Sequence, residues 1–456
     1  MAVLFGADDI LSRRTGAGEK EPVILAGVWK TTGRDFASED DFLHSLDELR
    51  ELALACGMEP LATVTQQLPG IDKALYVRSG KAEEIALAAS ELGAVRVIFN
   101  DTLSPSQLRN LQKLLKVPVM DRTRLILEIF ETRARTREAK LQVELAKLQY
   151  LKPRLIGMWE TQNRQGGASG SMSTRGEGEK QLEIDRRTVD HRLSELRREL
   201  SDVTRERETQ RKKRRMSRLP VVALIGYTNA GKSTIMNAML DRWPSDTDAE
   251  DRKVFEADML FATLDTTVRR IRVEKGREFL LSDTVGFIHR LPTALVEAFH
   301  STLEEVAEAD LLLQVVDSSD AHHMDHIAVT RQTVAELGAG HIPMITVFNK
   351  SDLREEASPY PRRGLIETSA GGERNENIYI SAKDPASIEL LTSVILEKLE
   401  SGDVTEEFLI PYTKGNVQAF LTENARVSDI EYLNEGTKMT VSCGREIAER
   451  ARKMLS

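Results

Sequence analysis

The stretch Gly226-Tyr227-Thr228-Asn229-Ala230-Gly231-Lys232-Ser233-Thr234 combines residue types that can hold phosphate. It follows an apolar run, Val221 to Ile225, and precedes a helical pattern from Lys232 to about Leu240. Strand, glycine loop, helix is the context a phosphate-binding loop requires. Glycines let the backbone curl so that N–H groups converge on phosphate oxygens, and the helix N-terminus adds partial positive charge. Lys232 is then expected to reach the β- and γ-phosphates, and the Ser233 hydroxyl to hold Mg2+.

Further motifs follow in order. Phe261-Ala262-Thr263-Leu264-Asp265 closes a polar, Asp-rich stretch. A threonine there can bind Mg2+ and feel the γ-phosphate; Thr263 is the choice, with Thr266 and Thr267 as competitors. Asp283-Thr284-Val285-Gly286 ends a strand pattern, where an acidic residue coordinates Mg2+ and the Gly286 N–H can bond the γ-phosphate. Asn349-Lys350-Ser351-Asp352 ends another. The Asp352 carboxylate can accept from both N1–H and the 2-amino group of guanine, a pair that adenine cannot offer. Lys350 can lie across the base, and Asn349 can tie this loop to the phosphate loop. Ser381-Ala382-Lys383 would meet the guanine 6-oxo group. The order of these motifs implies a GTPase domain that binds GTP and GDP, with Lys232, Thr263 and Gly286 as its catalytic set.

Two positions refine the chemistry. Phe287 stands where Ras-like proteins carry a water-orienting glutamine, so slow intrinsic turnover is expected, with the catalytic group elsewhere or on a partner. Asn229 occupies the phosphate-loop position that coordinates a monovalent cation in potassium-activated GTPases, so K+ is a candidate cofactor.

These loops need elements to carry them. Apolar runs such as Val23 to Val28 and Val95 to Asn100 alternate with helical patterns, which implies a small parallel α/β domain over 1–130. Within it, Gly80-Lys81 at a helix start is a weak anion-site candidate. Leu141, Leu145, Leu148 and Leu151, then Val189, Leu193, Leu196, Leu200 and Val203, imply an antiparallel helical hairpin over 131–216. A Gly-rich loop at 164–180 interrupts it, punctuated by Arg164, Arg175 and Lys180. The second helix runs out through a basic run, Arg205 to Arg218. Loop and run together suggest RNA contact. The GTPase domain is expected over 217–400, a mostly parallel sheet with helices on both faces. A small α+β domain is expected over 401–456, with Val417 to Leu421 readable as strand or helix.

The 456 residues exceed one ordinary domain, and the net charge of −9 excludes a generally basic nucleic-acid binder. Two cysteines without metal-ligand spacing, Cys56 and Cys443, argue for a reducing compartment and against structural zinc. No apolar stretch approaches a membrane span, and no signal peptide is evident, so the chain reads as a cytoplasmic protein and is expected to be a monomer.

With these residues in hand, the chain resembles the HflX family of translational GTPases. The resemblance rests on Tyr227 to Thr234, Leu260 to Asp265 and Asp283 to Ile288. Outside the GTPase domain it rests on Thr136 to Ala146 and Thr174 to Arg187. It implies binding to the large ribosomal subunit, favoured by GTP, and splitting or rescue of stalled or idle ribosomes under stress. It also implies that the hairpin's glycine loop approaches the peptidyl-transferase region of 23S rRNA. Departures include Ser169 to Met172 in the glycine loop, an acidic segment from Asp246 to Asp251, and Thr266 where proline is expected. The competing reading is a GTP-gated regulator of a protein partner with no ribosomal role.

Overall fold

The computed structural model describes residues 20–33, 36, 38–165, 184, 186–205, 219–243, 261, 264, 266–273, 277–289, 305–354, 360–367, 374–400 and 403–455. Ala262, Thr263, Asp265, the glycine loop beyond Gln165 and the basic run beyond Arg205 lie outside the described residues.

The N-terminal unit is a four-stranded sheet in the order β2-β1-β3-β4. Its strands are β1 (Glu21–Lys30), β2 (Met58–Leu68), β3 (Arg96–Phe99) and β4 (Val119–Asp121), all paired in parallel. The six central residues of β1, Val23 to Val28, are buried, as expected for a strand covered on both faces. The helices between the strands are α1 (Glu39–Ala55), α2 (Ser79–Leu92) and α3 (Pro105–Leu115). A capping box formed by Ser38 and Asp41 starts α1, and Ser104 with Gln107 does the same for α3.

The sequence reading left 122–133 unassigned; this segment is helix α4 (Arg122–Arg133). Asp121 caps it, accepting from the Arg124 N–H at 2.9 Å. The same buried carboxylate accepts from Tyr150 Oη at 2.9 Å and Arg154 Nη2 at 3.0 Å on the next helix, α5 (Arg137–Gln165). The first hairpin helix is thereby tied to the sheet. One face of α5 packs Ala139, Val143, Ala146 and Tyr150 into the N-terminal core. The other sets Leu141, Leu145 and Leu148 against Val189, Leu193, Leu196, Leu200 and Val203 of α6 (186–205). Leu151, expected on the hairpin seam, packs with the N-terminal core instead. A helix with two apolar faces cannot be divided by a single heptad pattern.

The central sheet has seven strands, in the order β10-β11-β9-β8-β5-β7-β6. They are β5 (Val221–Gly226), β6 (Thr267–Val273), β7 (Arg277–Asp283), β8 (Leu311–Asp317), β9 (Met344–Asn349), β10 (Arg362–Glu367) and β11 (Arg374–Tyr379). The inner five are parallel, and β6 and β10 close the edges antiparallel. Along β5 the side chains alternate between two cores. Val222 and Leu224 join Ile235 and Met236 of α7 (Lys232–Arg242) and Leu391 and Ile395 of α9 (Pro385–Glu400). Ala223 and Ile225 join Val334 of α8 (His323–Glu336). Helices on both faces of the sheet follow from that period of two.

The last unit is an antiparallel sheet, β12-β14-β13, made of β12 (Asp403–Ile410), β13 (Arg426–Leu433) and β14 (Gly436–Gly444). Helices α10 (Gly415–Asn424) and α11 (Arg445–Leu455) complete it, so Val417 to Leu421 is helix. Val417, Leu421, Ala448 and Ala451 close its core against Phe408, Met439 and Val441. Among the described residues no helix is long and apolar enough to cross a membrane.

Gly226, the last residue of β5, has φ +144°, and a Cβ there would lie 2.2 Å from the Val315 carbonyl oxygen of β8. Gly226→Ala is therefore expected to lower stability by about 3 kcal/mol, from backbone strain and forced separation of two central strands. Urea unfolding of the nucleotide-free protein measures it; a midpoint equal to the parent's would refute the argument.

Candidate functional site

The phosphate loop lies between β5 and α7, with Gly231 at φ +94° as the residue before the helix. A Cβ on Gly231 would sit 2.2 Å from Asn349 Nδ2. That crowding has a purpose, because Asn349 Nδ2 donates to the Ala230 carbonyl at 2.9 Å. Its Oδ1 accepts from the Ala382 N–H, also at 2.9 Å. One buried amide thus joins three motifs that are far apart in the sequence. Asn229, Gly231, Thr234, Asn349, Lys350, Asp352, Ser381, Ala382 and Lys383 consequently face one cavity of about 330 Å3. Asn229 stands exposed on the loop at φ +59°. Lys350, in the left-handed conformation, forms an ion pair with Asp317 at 2.7 Å.

The opposite end of the loop holds the charged groups. Lys232 is buried and donates to the carbonyls of Gly226 at 3.1 Å and Tyr227 at 2.7 Å. Burial pushes its pKa down to about 8, with nearby Asp283 pulling the other way. Ser233 Oγ donates to Asp283 Oδ2 at 2.7 Å. A hydroxyl and a carboxylate brought together in this way make the oxygen donor set that Mg2+ takes. Gly286 lies against the same corner, where a Cβ would approach Thr228 Cα to 2.9 Å and Lys232 Nζ to 3.1 Å. Thr284 is a partial surprise: its hydroxyl donates to the Leu224 carbonyl at 2.7 Å and braces β5.

The side chains of Phe287, Tyr227, Phe261, Leu264 and Val285 turn away from the cavity. Phe287 is buried with Ala223, Ile225 and Val306. Its backbone staples the loop after β7 to the phosphate loop, by Phe287 N to Gly226 O at 3.1 Å and Thr228 N to Phe287 O at 2.8 Å. Tyr227, Phe261, Leu264 and Val285, all expected as cofactor contacts, place their side chains in the core built by α4 and α5 of the N-terminal unit. Phe261 meets the Phe130 ring edge-on at 4.6 Å. Burial of these apolar groups in that core is favourable in itself. The acidic segment at 246–251 lies outside the described residues.

Three family models match successive stretches of the chain between residues 43 and 350. They are described as "GTP-binding GTPase N-terminal" over residues 43–131, "GTP-binding GTPase Middle Region" over 133–214 and "50S ribosome-binding GTPase" over 221–350. The GTPase HflX of Caldanaerobacter subterraneus is 40% identical over 439 residues, covering 96% of this chain and 95% of that protein. The chain belongs to the HflX family of GTPases. The HflX protein of Escherichia coli K12 is also 40% identical, with 89% of each chain covered. A solved GTP-binding protein of Sulfolobus solfataricus in complex with GDP is 21% identical, with 82% of this chain and 98% of that one covered at a TM-score of 0.41.

In this HflX-family chain the sequence reading missed the junction behind the phosphate loop. Tyr227 Oη donates to Glu48 of α1 and accepts from the His289 N–H at 2.7 Å. Burial and the adjacent Glu48 carboxylate hold the Tyr227 phenol well above its ordinary pKa of 10.0, so it remains a donor. Arg122 of α4 donates to Glu48, to Asn100 Oδ1 at 2.9 Å and to the His289 carbonyl at 3.2 Å. Both the phosphate loop and the segment after Gly286 are thus bonded to the N-terminal unit. No local pattern could have exposed a contact between residues 179 positions apart.

Proposed function

We propose that this chain is a GTP-driven switch that binds the large ribosomal subunit and splits or rescues stalled or idle ribosomes under stress. The observation that carries the nucleotide half is the Asn349 clasp, which gathers the Ala230, Asp352 and Ala382 loops around one cavity. Asp352 reads the guanine edge, Lys350 covers the base, and Ser381 to Lys383 meet its 6-oxo group. Lys232 and the Gly286 N–H hold the terminal phosphate. Ser233, Asp283 and Thr263 would hold Mg2+, which supplies positive charge against the β- and γ-oxygens. Asn229 would take K+, supplying charge where other GTPases use an arginine. Hydrolysis frees the γ-phosphate contact at Gly286. The change reaches the N-terminal unit through His289 and Tyr227.

The ribosomal half is supported by the "50S ribosome-binding GTPase" description of the matching family model and by the HflX relatives. The glycine loop and the Arg205–Arg218 run carry the cationic groups suited to 23S rRNA phosphates. The test is GTP hydrolysis with and without purified large subunits, in K+ and in Na+. Stimulation by subunits, larger in K+, is expected. Absence of stimulation favours the GTP-gated regulator of a protein partner, and equal rates in the two salts remove the role given to Asn229.

Lys232 adds a proton-linked prediction. Its folded pKa of about 8 lies below the ordinary 10.5, so the unfolded chain binds more protons between those values. The nucleotide-free fold therefore gains stability as pH rises through that window. A phosphate beside Lys232 restores its charge, so binding of GDP at pH 8 should take up about half a proton per site. Calorimetry in buffers of different ionisation enthalpy reads that uptake; proton release or none at pH 8 would contradict it.

A further inference from the structure

The junction between α1 and the start of α8 contains a cluster of side chains that the nucleotide chemistry does not use. His44 comes from α1; Asp320, His322 and His326 come from the turn before α8 and its first turns. His44, Glu48, Tyr227, His289, His322 and His326 face a cavity of about 260 Å3 behind the phosphate loop. One ring nitrogen of His44, one of His326 and a carboxylate oxygen of Asp320 lie within 4.8 Å of one another.

His326 is the informative member. It is 7% exposed, and among the described residues its Nε2 has no hydrogen-bond partner. Burial, the dominant influence, lowers the His326 pKa, which favours the neutral imidazole that ligates metals. Its Nδ1 lies 3.8 Å from Asp320 Oδ2, which makes Nδ1 the nitrogen placed to share an ion with that carboxylate. Two imidazoles and a carboxylate form the donor set of zinc-type sites, with a water completing the tetrahedron. Ligand atoms about 2.0–2.2 Å from such an ion stand roughly 3.4 Å apart, so closure requires side-chain shifts of only about 1 Å.

We propose that His44, Asp320 and His326 form a binding site for a borderline divalent metal ion of the Zn2+ type, clasping the N-terminal unit to the GTPase unit. The ion bridges α1 to the turn before α8, which are 276 positions apart between His44 and Asp320. Its effect reaches the nucleotide loop directly, because the His326 ring stacks on Tyr227 with centroids 3.8 Å apart and planes at 10°. The neighbouring triad of Asp41, His322 and Asp325 supplies a single imidazole and is the more exposed of the two, so it serves as the internal control.

The experiment is a Zn2+ titration by calorimetry of the full chain, first stripped with chelator and then saturated with GDP and Mg2+ so that the nucleotide site is occupied. One ion per chain is expected, with a dissociation constant in roughly the micromolar range. His44→Ala and Asp320→Asn should each weaken it by roughly tenfold or more. Both residues are only partly buried, so both variants should fold, and circular dichroism verifies this. Co2+ should give the intense visible absorption of a tetrahedral site in the parent and not in the His44→Ala variant. The proposal is overturned if the parent binds no Zn2+, if both variants bind like the parent, or if Asp41→Asn abolishes binding while His44→Ala leaves it intact.

Discussion

Asp352→Asn should lower affinity for GTP by about two to three orders of magnitude and raise affinity for xanthosine triphosphate. In the proposed site the carboxylate would accept from two guanine donors, and each charge-assisted bond is worth about 1.5–3 kcal/mol. An asparagine keeps one acceptor and turns its NH2 toward the guanine 2-amino group, setting donor against donor. Xanthine carries a carbonyl at that position, which the same NH2 can satisfy. The surroundings favour a clean exchange, because Asp352 lines the cavity rim while the loop is held independently by Asn349 and by Ser351, whose N–H donates to the Ile380 carbonyl at 3.0 Å. Competition of each triphosphate against a fluorescent GDP analogue measures both affinities. Guanine selectivity that survives the change would remove Asp352 from base recognition.

Arg122→Leu is the second large effect, and it lies outside the nucleotide cavity. Arg122 and Glu48 are 3% and 8% exposed, and the guanidinium is the buried counter-charge bonded to that carboxylate. Removing one partner of a buried pair leaves the other charge uncompensated, at a cost of about 3–5 kcal/mol. The Tyr227 hydroxyl alone cannot neutralise Glu48. Replacing both residues, Arg122→Leu with Glu48→Leu, should recover at least half of the loss, since no charge then stays buried. Denaturant unfolding of the single and double variants gives the coupling. Strictly additive losses, or a single-variant loss within about 0.5 kcal/mol, would show that the pair does not hold the junction. The Arg122 variant should also weaken the link from the His289 carbonyl to α4, making it a probe of whether the nucleotide state reaches the N-terminal unit.

Much of this architecture is legible in the sequence. Val221 to Ile225 reads as a strand because five apolar residues run up to a glycine-containing loop, and the structure gives that glycine, Gly226, φ +144°. The parallel N-terminal sheet follows from short apolar runs alternating with helical patterns, and the seam of the hairpin from leucines three and four apart. Where the reading failed, the cause was long-range. The edge strand β10 and the strand β13, which the sequence reading did not assign, carry charged residues at three of six and three of eight positions and have weak periodicity; pairing with β11 and β14 is what makes them strands. Leu151 was misplaced because α5 serves two cores at once.

By itself, the sequence indicated the chemistry proposed for the site. Residue type and local spacing decide which groups can cradle phosphate, pair with guanine or hold Mg2+, because the backbone geometry of a glycine loop or a strand end is set within a few residues. Only the tertiary structure decided where the side chains between those groups go. Tyr227 and Phe261 sit inside nucleotide motifs yet spend their side chains on α1 and α4, and Arg122, Glu48 and His326 become a junction only when two units pack. Contacts of that kind are chosen by buried area and by the need to pair buried charge across the whole chain, and neither quantity is written in any local period.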